Sequence, residues 1–339
     1  MNSNPALLAS VYRGNSIEAV HYGSVAVVDE KSKLTHYIGD PEMFTMMRSS
    51  IKPFQALPLL LSGGFDNFKY NDMQLALMCA SHTGSDEHKE VASSILKAAG
   101  NTQEDLQCGA HWPIWMRYDS VWPKNNEDKD PLRHNCSGKH SGFLALAKYL
   151  KDDIKKYLDP MGKTQSQVKQ ALSDMVEFPA DKFGVAVDGC SAPNFSFPLK
   201  NLAIGFKNLA LKRGPTPEMQ NALGRVFAAM TANPKMVSGD KRFDYDLMRS
   251  FPNQVVCKIG AEAVEGIGFS EPKIGLVVKI DDGNSRALYP VCVEVLKQLD
   301  IVDKIENFPF LKRHERPEIK NYRGIVTGHI EAKFELMKV

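Results

Sequence analysis

A serine and a lysine three residues apart in the stretch RSSIKPFQ are the first residues here whose types and spacing could do chemistry. On a helix, Ser49 and Lys52 would share one face, one turn apart. A serine hydroxyl is a poor nucleophile until a base takes its proton, and lysine can be that base only if burial lowers its pKa. The spacing is therefore compatible with a serine–lysine nucleophile.

The same spacing recurs, so the pattern alone decides little. Ser-x-x-Lys also begins at four other serines, Ser94, Ser166, Ser238 and Ser270. A helix cap or a solvated surface pair explains any of these as well as a nucleophile does. Ser49 differs because it opens a predicted apolar helix, whose positive end and free N–H groups would stabilise an oxyanion.

Three other stretches concentrate polar groups among small residues: MCASHTG (78–84), RHNCSGKHSG (133–142) and VDGCSAPNFSFP (187–198). Such loops are common in active sites because the backbone can approach a ligand closely there. Each polar residue in them also has a plain structural interpretation, as a satisfied core group or a turn cap. The candidates for contact with a substrate are Arg48, His82, Asn135, His140 and Asp188.

The elements that must position these residues follow from periodicity and turn signals. Residues 18–40 predict a β-hairpin with DEKSK as its turn, and residues 104–135 predict irregular structure. Helices are predicted over 49–62, 71–80, 85–100, 137–152, 163–176, 216–233 and 291–299. Strands are predicted in NQVVCKIGA, KIGLVVKI, SRALYPV and RGIVTGHIEAKF, with a hairpin turn at Asp282-Gly283.

Strands near both ends and helices between them predict an α/β (α+β) fold with a mostly antiparallel sheet and a helical lobe. We expect one catalytic domain over 1–339, with 11–45 and 250–339 in the sheet lobe and 46–249 in the helical lobe. A cleft between the lobes would be the natural place for a ligand.

Composition excludes several classes of protein. The chain is 43% apolar and 24% charged, as ordinary globular proteins are, and its net charge of +2 comes without a basic run typical of nucleic-acid binding. No apolar run is long enough for a membrane span, and the N-terminus does not resemble a signal peptide. Six scattered cysteines favour a reducing, cytoplasmic setting over a disulfide scaffold.

Five motifs occur in an order that resembles a known family. RSSIKPFQ, MCASHTG, NCSGKHSG, VDGCSAPNFSFPL and VCKIGAE follow one another as they do in the rhizobial-type (class 3, asparaginase II-like) L-asparaginases, over about residues 11–335. The resemblance implies a fold like those of serine β-lactamases and glutaminases, and a homodimer. It also implies two catalytic pairs, Ser49 with Lys52 and Ser81 with Lys258.

The same resemblance implies a zinc site at Cys136, Lys139 and Cys190, with Asp188 nearby. From the residues alone, two cysteines without a Cys-x-x-Cys pair are more often plain buried thiols, and lysine is a rare ligand because it must first lose its proton. Some relatives carry a cysteine where this chain has Asp244.

The expected reaction is hydrolysis of the side-chain amide of L-asparagine to aspartate and ammonia. Ser49 would attack the carbonyl while Lys52 takes its proton, with Ser81 and Lys258 relaying protons or orienting the first pair. The alternatives are a glutaminase, a β-lactamase-like serine acyl hydrolase, and a non-catalytic asparagine-binding protein. A β-lactamase is disfavoured because the chain contains no Lys-Thr-Gly motif.

Overall fold

The computed structural model describes residues 4–123 and 129–339, which form two sheets and a set of helices. The strands are β1 (Ala6–Arg13), β2 (Ser16–Val28), β3 (Leu34–Ile38), β4 (Phe44–Met46), β5 (Gly184–Val187), β6 (Pro193–Pro198), β7 (Val255–Gly260), β8 (Val264–Phe269), β9 (Ile274–Ile280), β10 (Glu318–Lys320), β11 (Val326–Ala332) and β12 (Met337–Lys338). The helices are α1 (Lys52–Gln55), α2 (Leu57–Leu61), α3 (Gly64–Asn67), α4 (Asp72–Met78), α5 (Asp86–Ala98), α6 (Trp115–Tyr118), α7 (Ser137–Tyr149), α8 (Lys163–Val176), α9 (Leu199–Leu211), α10 (Pro217–Ala232), α11 (Pro234–Ser238), α12 (Phe243–Ser250), α13 (Ser285–Gln298) and α14 (Pro309–Glu315).

The larger sheet joins strands from the two ends of the chain. Its order is β10–β11–β1–β2–β9–β8–β7, with β3 paired to β2 and β12 paired to β3. Every pair in it is antiparallel. The predicted mixed fold with a mostly antiparallel terminal sheet is confirmed. A smaller sheet, β4–β6–β5, lies outside it.

Helices cover both faces of the larger sheet, and β8 shows how. A Cβ on Gly266 would come 2.1 Å from the Phe206 ring of α9, so this face of the strand packs against α9. The preceding residue, Glu265, lies near Tyr289 and Cys292 of α13. Because successive strand residues point to opposite faces, α9 and α13 sandwich the sheet. The apolar core is thus continuous through three layers.

Helix α7 lies in the interior of the helical region. Its first eleven residues are buried, and its Gly138 lies so close to α4 that a Cβ there would come 2.2 Å from the Leu77 carbonyl oxygen. Only a glycine permits that approach between the two backbones. The contact fixes the start of α7, where Lys139 and Cys136 lie, against the end of α4, which leads directly to Ser81.

Most predicted elements are present with small shifts at their ends. The hairpin of β2 and β3 turns through Asp29–Lys33, and Asp29 Oδ1 accepts hydrogen bonds from two backbone N–H groups there. Helices α4, α5, α7, α8 and α10 match five of the predicted helices. The region 104–135 is irregular apart from short turns and α6, and its residues 124–128 lie outside the described residues.

Two predictions are corrected. The expected helix over 49–62 is divided into a 3-10 turn, α1 and α2. Pro58, in the first turn of α2, has no N–H, so the helical hydrogen bonds cannot continue without a break. The expected strand SRALYPV is the first half of α13, so Asp282-Gly283 joins a strand to a helix and is no hairpin turn. The side chain of Asn284 caps that helix by accepting from the Arg286 N–H at 3.2 Å.

Within residues 4–123 and 129–339, no helix combines the length and the apolar character that crossing a membrane requires.

Candidate active site

The turn that carries Ser49 is strained and held on two sides. Arg48, at its start, has φ 52°, in the left-handed region that residues other than glycine seldom occupy. Its N–H donates to Asn194 Oδ1 at 3.0 Å, which anchors the turn to the 188–194 loop. On the other side, a Cβ on Gly260 would come 2.6 Å from the Met47 carbonyl oxygen, so the end of β7 lies directly against the turn. Such backbone strain persists only where the surroundings enforce it, and it is frequent at active sites.

Lys52 is completely buried and makes three hydrogen bonds. Its Nζ lies 2.6 Å from the Ala80 carbonyl oxygen, 3.1 Å from the Asn135 carbonyl oxygen and 3.1 Å from Ser81 Oγ. A neutral amine can donate its two N–H groups to the two carbonyls, and its lone pair then faces the hydroxyl as an acceptor. The geometry suits a base for the proton of Ser81.

Burial is the main reason why the pKa of Lys52 is lowered, because the charged amine loses its hydration. Among the nearby groups, the Cys136 and Cys190 thiols act in the opposite direction, while the Lys139 cation lowers the pKa further. A lowered pKa raises the fraction of neutral Lys52 near neutral pH, which is the form that can accept a proton.

Ser49 and Ser81 differ in their surroundings. Ser81 is 4% exposed, and its backbone is fixed by the Val237 carbonyl oxygen, at 2.9 Å from its N, and by Arg242 Nη1, at 2.6 Å from its O. Ser49 is 9% exposed, and its side chain makes no hydrogen bond to any residue within 4–123 or 129–339. The pairing of Ser49 with Lys52 stays a prediction, while the Lys52–Ser81 hydrogen bond is a contact that the sequence did not reveal.

Lys258, on β7, is also completely buried. Its Nζ donates to the Ile259 carbonyl oxygen at 2.6 Å and lies 4.0 Å from Asp244 Oδ2. Burial lowers its pKa to about 7, opposed by Asp244, and a proton on Lys52 would lower it further. No hydrogen bond joins it to Ser81 within the described part of the chain, so that predicted pair also remains a prediction.

Three buried ionisable side chains near Lys258 were not predicted as a cluster: Arg242, Asp244 and Glu265. Asp244 was noted only as a departure from relatives. Glu265 had a sequence signal, since it is the one acid within the otherwise apolar strand VEGIGF. A charged residue inside such a strand needs a buried partner or must be neutral.

The predicted substrate-binding residues Arg48 and Asp188 bind each other. Arg48 Nε donates to Asp188 Oδ1 at 2.8 Å, and Arg48 Nη1 lies 3.8 Å from Glu262 Oε1. Although burial would raise it, the pKa of Asp188 is held below its usual value by Lys139 and Arg48. A guanidinium and two carboxylates beside Ser49 are the charges that a zwitterionic amino acid would need.

The other three polar candidates are already engaged by the protein. His82 Nδ1 accepts from the Gly84 N–H at 3.1 Å, which leaves Nε2 to donate to Ser137 Oγ at 3.0 Å. Asn135 Oδ1 lies 3.2 Å from His111 Nε2, and its carbonyl oxygen accepts from Lys52.

His140 Nδ1 lies 2.7 Å from Tyr157 Oη, while its buried Nε2 has no hydrogen-bond partner among the described residues. Burial lowers the pKa of His140 to about 4, so the ring is neutral. The Cys190 thiol lies close enough to His140 to oppose this lowering of its pKa.

The predicted zinc ligands do come together. Lys139 Nζ lies 3.1 Å from Cys190 Sγ, and all of Cys136, Lys139 and Cys190 are buried. Hydrogen bonding to the Cys190 thiol, with Lys52 and Lys139 close by, holds the pKa of Cys136 well below its usual value. The same hydrogen bond, together with burial, raises the pKa of Cys190 against the opposing effect of Lys139. Although burial opposes it, the same thiols raise the pKa of Lys139.

These donors fit zinc, since two thiols and an amine suit this ion once Lys139 loses its proton. Within residues 4–123 and 129–339, no group of three or more His, Cys, Asp or Glu side chains could hold a metal. A site here therefore depends on Lys139.

A comparison with protein families decides the family. The L-asparaginase II family matches residues 9–332, nearly the whole chain. The chain belongs to the L-asparaginase II family. This membership supports an amidohydrolase, in agreement with the resemblance seen in the five motifs. No curated protein matches the sequence.

Several solved structures are distantly similar to this L-asparaginase II family member. Mglu in its L-glutamate-bound form has 15% identity and a TM-score of 0.39, over 82% of this chain and 59% of that one. The chain thus spans less than two thirds of that structure. A β-lactamase from Mycobacterium bovis has 11% identity and a TM-score of 0.39, over 81% and 93% of the two chains. A class C β-lactamase from Rhodobacter sphaeroides has 11% identity and a TM-score of 0.41, over 81% and 95%.

Proposed function

We propose that this protein hydrolyses the side-chain amide of L-asparagine to L-aspartate and ammonia. The observation that carries the proposal is the buried Lys52, whose Nζ lies 3.1 Å from Ser81 Oγ while two carbonyl oxygens occupy its other hydrogen bonds. Acyl transfer requires a base, such as a neutral amine, that can take the proton of a serine hydroxyl, whereas a binding protein does not. Membership of the L-asparaginase II family supports the amide as substrate.

In the proposed mechanism, Ser49 Oγ attacks the amide carbonyl, and its proton passes through Ser81 Oγ to Lys52. The tetrahedral intermediate collapses as Lys52 returns the proton to the amide nitrogen, the C–N bond breaks, and ammonia leaves an aspartyl ester on Ser49. Water then attacks the ester carbonyl while Lys52 takes its proton, and Lys52 returns that proton through Ser81 to Ser49 Oγ as the C–O bond breaks, which releases aspartate and restores the serine. Lys258 relays protons or orients Ser49 and Lys52.

Recognition of the substrate would use the charges beside Ser49. Arg48 can bind the α-carboxylate, and Asp188 and Glu262 can bind the α-ammonium group. In the structure these side chains neutralise one another, at 2.8 Å and 3.8 Å. A zwitterion that replaces each partner keeps every charge paired, which favours a free amino acid over a neutral amide.

A zinc ion would be held by Cys136, Lys139 and Cys190, where it would neutralise the thiolates and order the two loops. The protein's own residues carry the proton transfers, and none of the steps above passes through the metal. We expect zinc to matter for the arrangement of the site and not for the attack itself.

The test is ammonia release from L-asparagine by the wild type and by Ser49→Ala, Ser81→Ala and Lys52→Met. Each variant should lose about 10²–10⁴-fold in kcat, since each interrupts the general-base route. Ser166→Ala is the matched control, because Ser166 begins a Ser-x-x-Lys match on the exposed side of α8. Turnover that survives both Ser49→Ala and Ser81→Ala would refute the mechanism.

The ester and the substrate are tested separately. Rapid quench followed by peptide mass spectrometry should find the added aspartyl group on the peptide containing Ser49, and finding it on Ser81 would reverse the roles of the two serines. Parallel assays with L-glutamine and a fluorogenic β-lactam distinguish the alternative hydrolases. Asparagine binding without any ammonia release would instead indicate a binding protein.

A further inference from the structure

Asp244 lies where it can control the charge on Lys258. It is completely buried near the start of α12, and its Oδ2 accepts the Ile259 N–H at 3.1 Å and lies 4.0 Å from Lys258 Nζ. Because β7 ends the sheet, that N–H has no neighbouring strand to bond, and Asp244 satisfies it. The carboxylate is thereby fixed beside the amine. At this separation in a desolvated site, an opposite charge acts strongly on a titrating group.

The other groups around Lys258 cannot do the same. Arg242 is a cation, which disfavours a charge on Lys258, and Lys52 has the same effect whenever it is protonated. Cys79 lies near both buried lysines, and burial raises the pKa of its thiol to about 12, so it is neutral. Asp246, on the same helix as Asp244, is bound by Arg313 and His314, so Glu265 on β8 is the remaining acid that acts on this lysine.

Glu265 differs from Asp244 in how it is paired. Neither of its carboxyl oxygens has a hydrogen-bond partner among the described residues, and the side chain is completely buried. Burial, with repulsion from Asp244, raises its pKa well above the usual value, so it is the uncharged acid. A buried carboxylate without partners would be very costly, whereas a neutral carboxyl is tolerated.

We propose that Asp244 is a positioning residue that sets the pH at which Lys258 gives up its proton. Through Lys258, Asp244 also sets the acid limb of the pH dependence of kcat/KM. The proposal rests on the proposed function only for its kinetic readout. Asp244 acts through Lys258, and among the described residues no hydrogen bond joins it to Ser49, Lys52 or Ser81. Arg242, two residues earlier, donates to the Ser81 carbonyl oxygen at 2.6 Å, so the same segment fixes both the Ser81 backbone and the Lys258 charge.

The first experiment measures the titration of Lys258 directly, by NMR of protein labelled with ¹³C at the lysine ε-carbon. The signal is assigned by its loss in Lys258→Met. Asp244→Asn removes the negative charge, so the midpoint should fall by about one pH unit or more. Asp244→Glu keeps the charge and should restore the wild-type midpoint. Glu265→Gln is the matched control, since replacing a neutral carboxyl with an amide should leave the midpoint in place.

The second readout is the pH dependence of kcat/KM for L-asparagine. Neutral Lys258 is the active form in this proposal, so activity rises with pH. The acid limb should therefore move to lower pH in Asp244→Asn and stay in place in Glu265→Gln. If Asp244→Asn does not fold, Asp244→Ser removes the same charge and keeps a short acceptor for the Ile259 N–H. A purely structural role would lower activity at every pH without moving the limb.

The outcomes are separable. An unchanged Lys258 midpoint in the uncharged variants overturns the role of Asp244, even if the wild type releases ammonia. If Glu265→Gln shifts the Lys258 midpoint as much as Asp244→Asn does, the claim that Asp244 is the charged acid and Glu265 the neutral one is wrong. Absence of turnover in the wild type refutes the proposed function, and the NMR titration then decides on Asp244 by itself.

Discussion

At the scale of single residues, the site depends on what burial does to amines and thiols. Lys52 and Lys258 are both inaccessible to solvent, and both have a lowered pKa because desolvation outweighs the nearby negative charges. Lys139 is buried as well, yet its pKa is raised by the adjacent thiols and Asp188. The three lysines are all buried, but their neighbouring groups differ. These neighbours therefore decide which lysine could act as a base and which could act as a metal ligand.

The zinc ligands give a prediction at this scale. Protein purified without chelators should contain about one zinc per chain by elemental analysis, because two thiols and an amine converge at Cys190. Cys136→Ser with Cys190→Ser should remove it. Cys292→Ala, a buried thiol on α13 outside the cluster, should retain it. Equal zinc content in the double variant and the wild type would show that the metal lies elsewhere.

At the scale of elements, close contacts between backbones bring the motif loops together. Gly260 lets β7 meet the Ser49 turn, and Gly138 lets α7 meet α4. These contacts place Lys258 near the turn and Cys136 near Lys52. The dipoles of the short helices α1 and α2 would stabilise an oxyanion at Ser49 less than the sequence predicts. The reason is that Ser49 lies inside a 3-10 turn and not at the start of a long helix.

Gly138→Ala tests that arrangement. A Cβ would lie 2.2 Å from the Leu77 carbonyl oxygen, so α7 must move, and we expect a loss of about 1–3 kcal/mol in the free energy of unfolding. Activity should fall too, because Lys139 and Cys136 move with the helix. Gly142→Ala is the control, since its Cβ would meet only the flexible Met78 side chain at 3.2 Å. Urea denaturation that gives equal losses in both would contradict this account.

At the scale of the whole molecule, the folded protein buries several histidines in their neutral form. His82 and His88 stack at 4.8 Å between their ring centroids. His88 Nε2 donates to the Lys235 carbonyl oxygen at 3.0 Å, and Nδ1 accepts from Ser85 Oγ at 2.6 Å. Burial lowers the pKa of His88 to about 4 and that of His82 well below 6.5.

Stability should therefore fall as the solution is acidified from pH 6.5 toward pH 4. In that window the unfolded chain protonates these histidines and the folded chain does not, so the unfolded state gains protons and is favoured. Each such histidine contributes about 1.4 kcal/mol per pH unit. Urea denaturation at several pH values should show a smaller slope for His88→Gln than for the wild type. An unchanged slope would mean that His88 is charged in the folded protein.

The mixed fold, the β2–β3 hairpin and five of the helices could be predicted because each has a local pattern. The strand β8 could not, since Gly266 and Gly268 weaken its propensity, and they are present because Phe206 of α9 packs on them. The first half of α13 differs from the predicted strand because Asp282-Gly283 resembles a hairpin turn, although only Tyr289 and Val291 of SRALYPV are residues that strands favour. Its buried residues Ala287, Leu288, Val291, Cys292, Val295 and Leu296 show the helical period only over a longer window.

The sequence by itself determined which residue types are available for chemistry, their order along the chain, and the family to which that order belongs. Only the tertiary structure decided their partners: that Lys52 bonds to Ser81, that Arg48 faces Asp188, and that Asp244 lies beside Lys258. The reason is physical. Spacing along the chain fixes neighbours within one element, whereas these contacts join elements far apart in sequence, and the desolvation that sets each pKa exists only when the layers close around them.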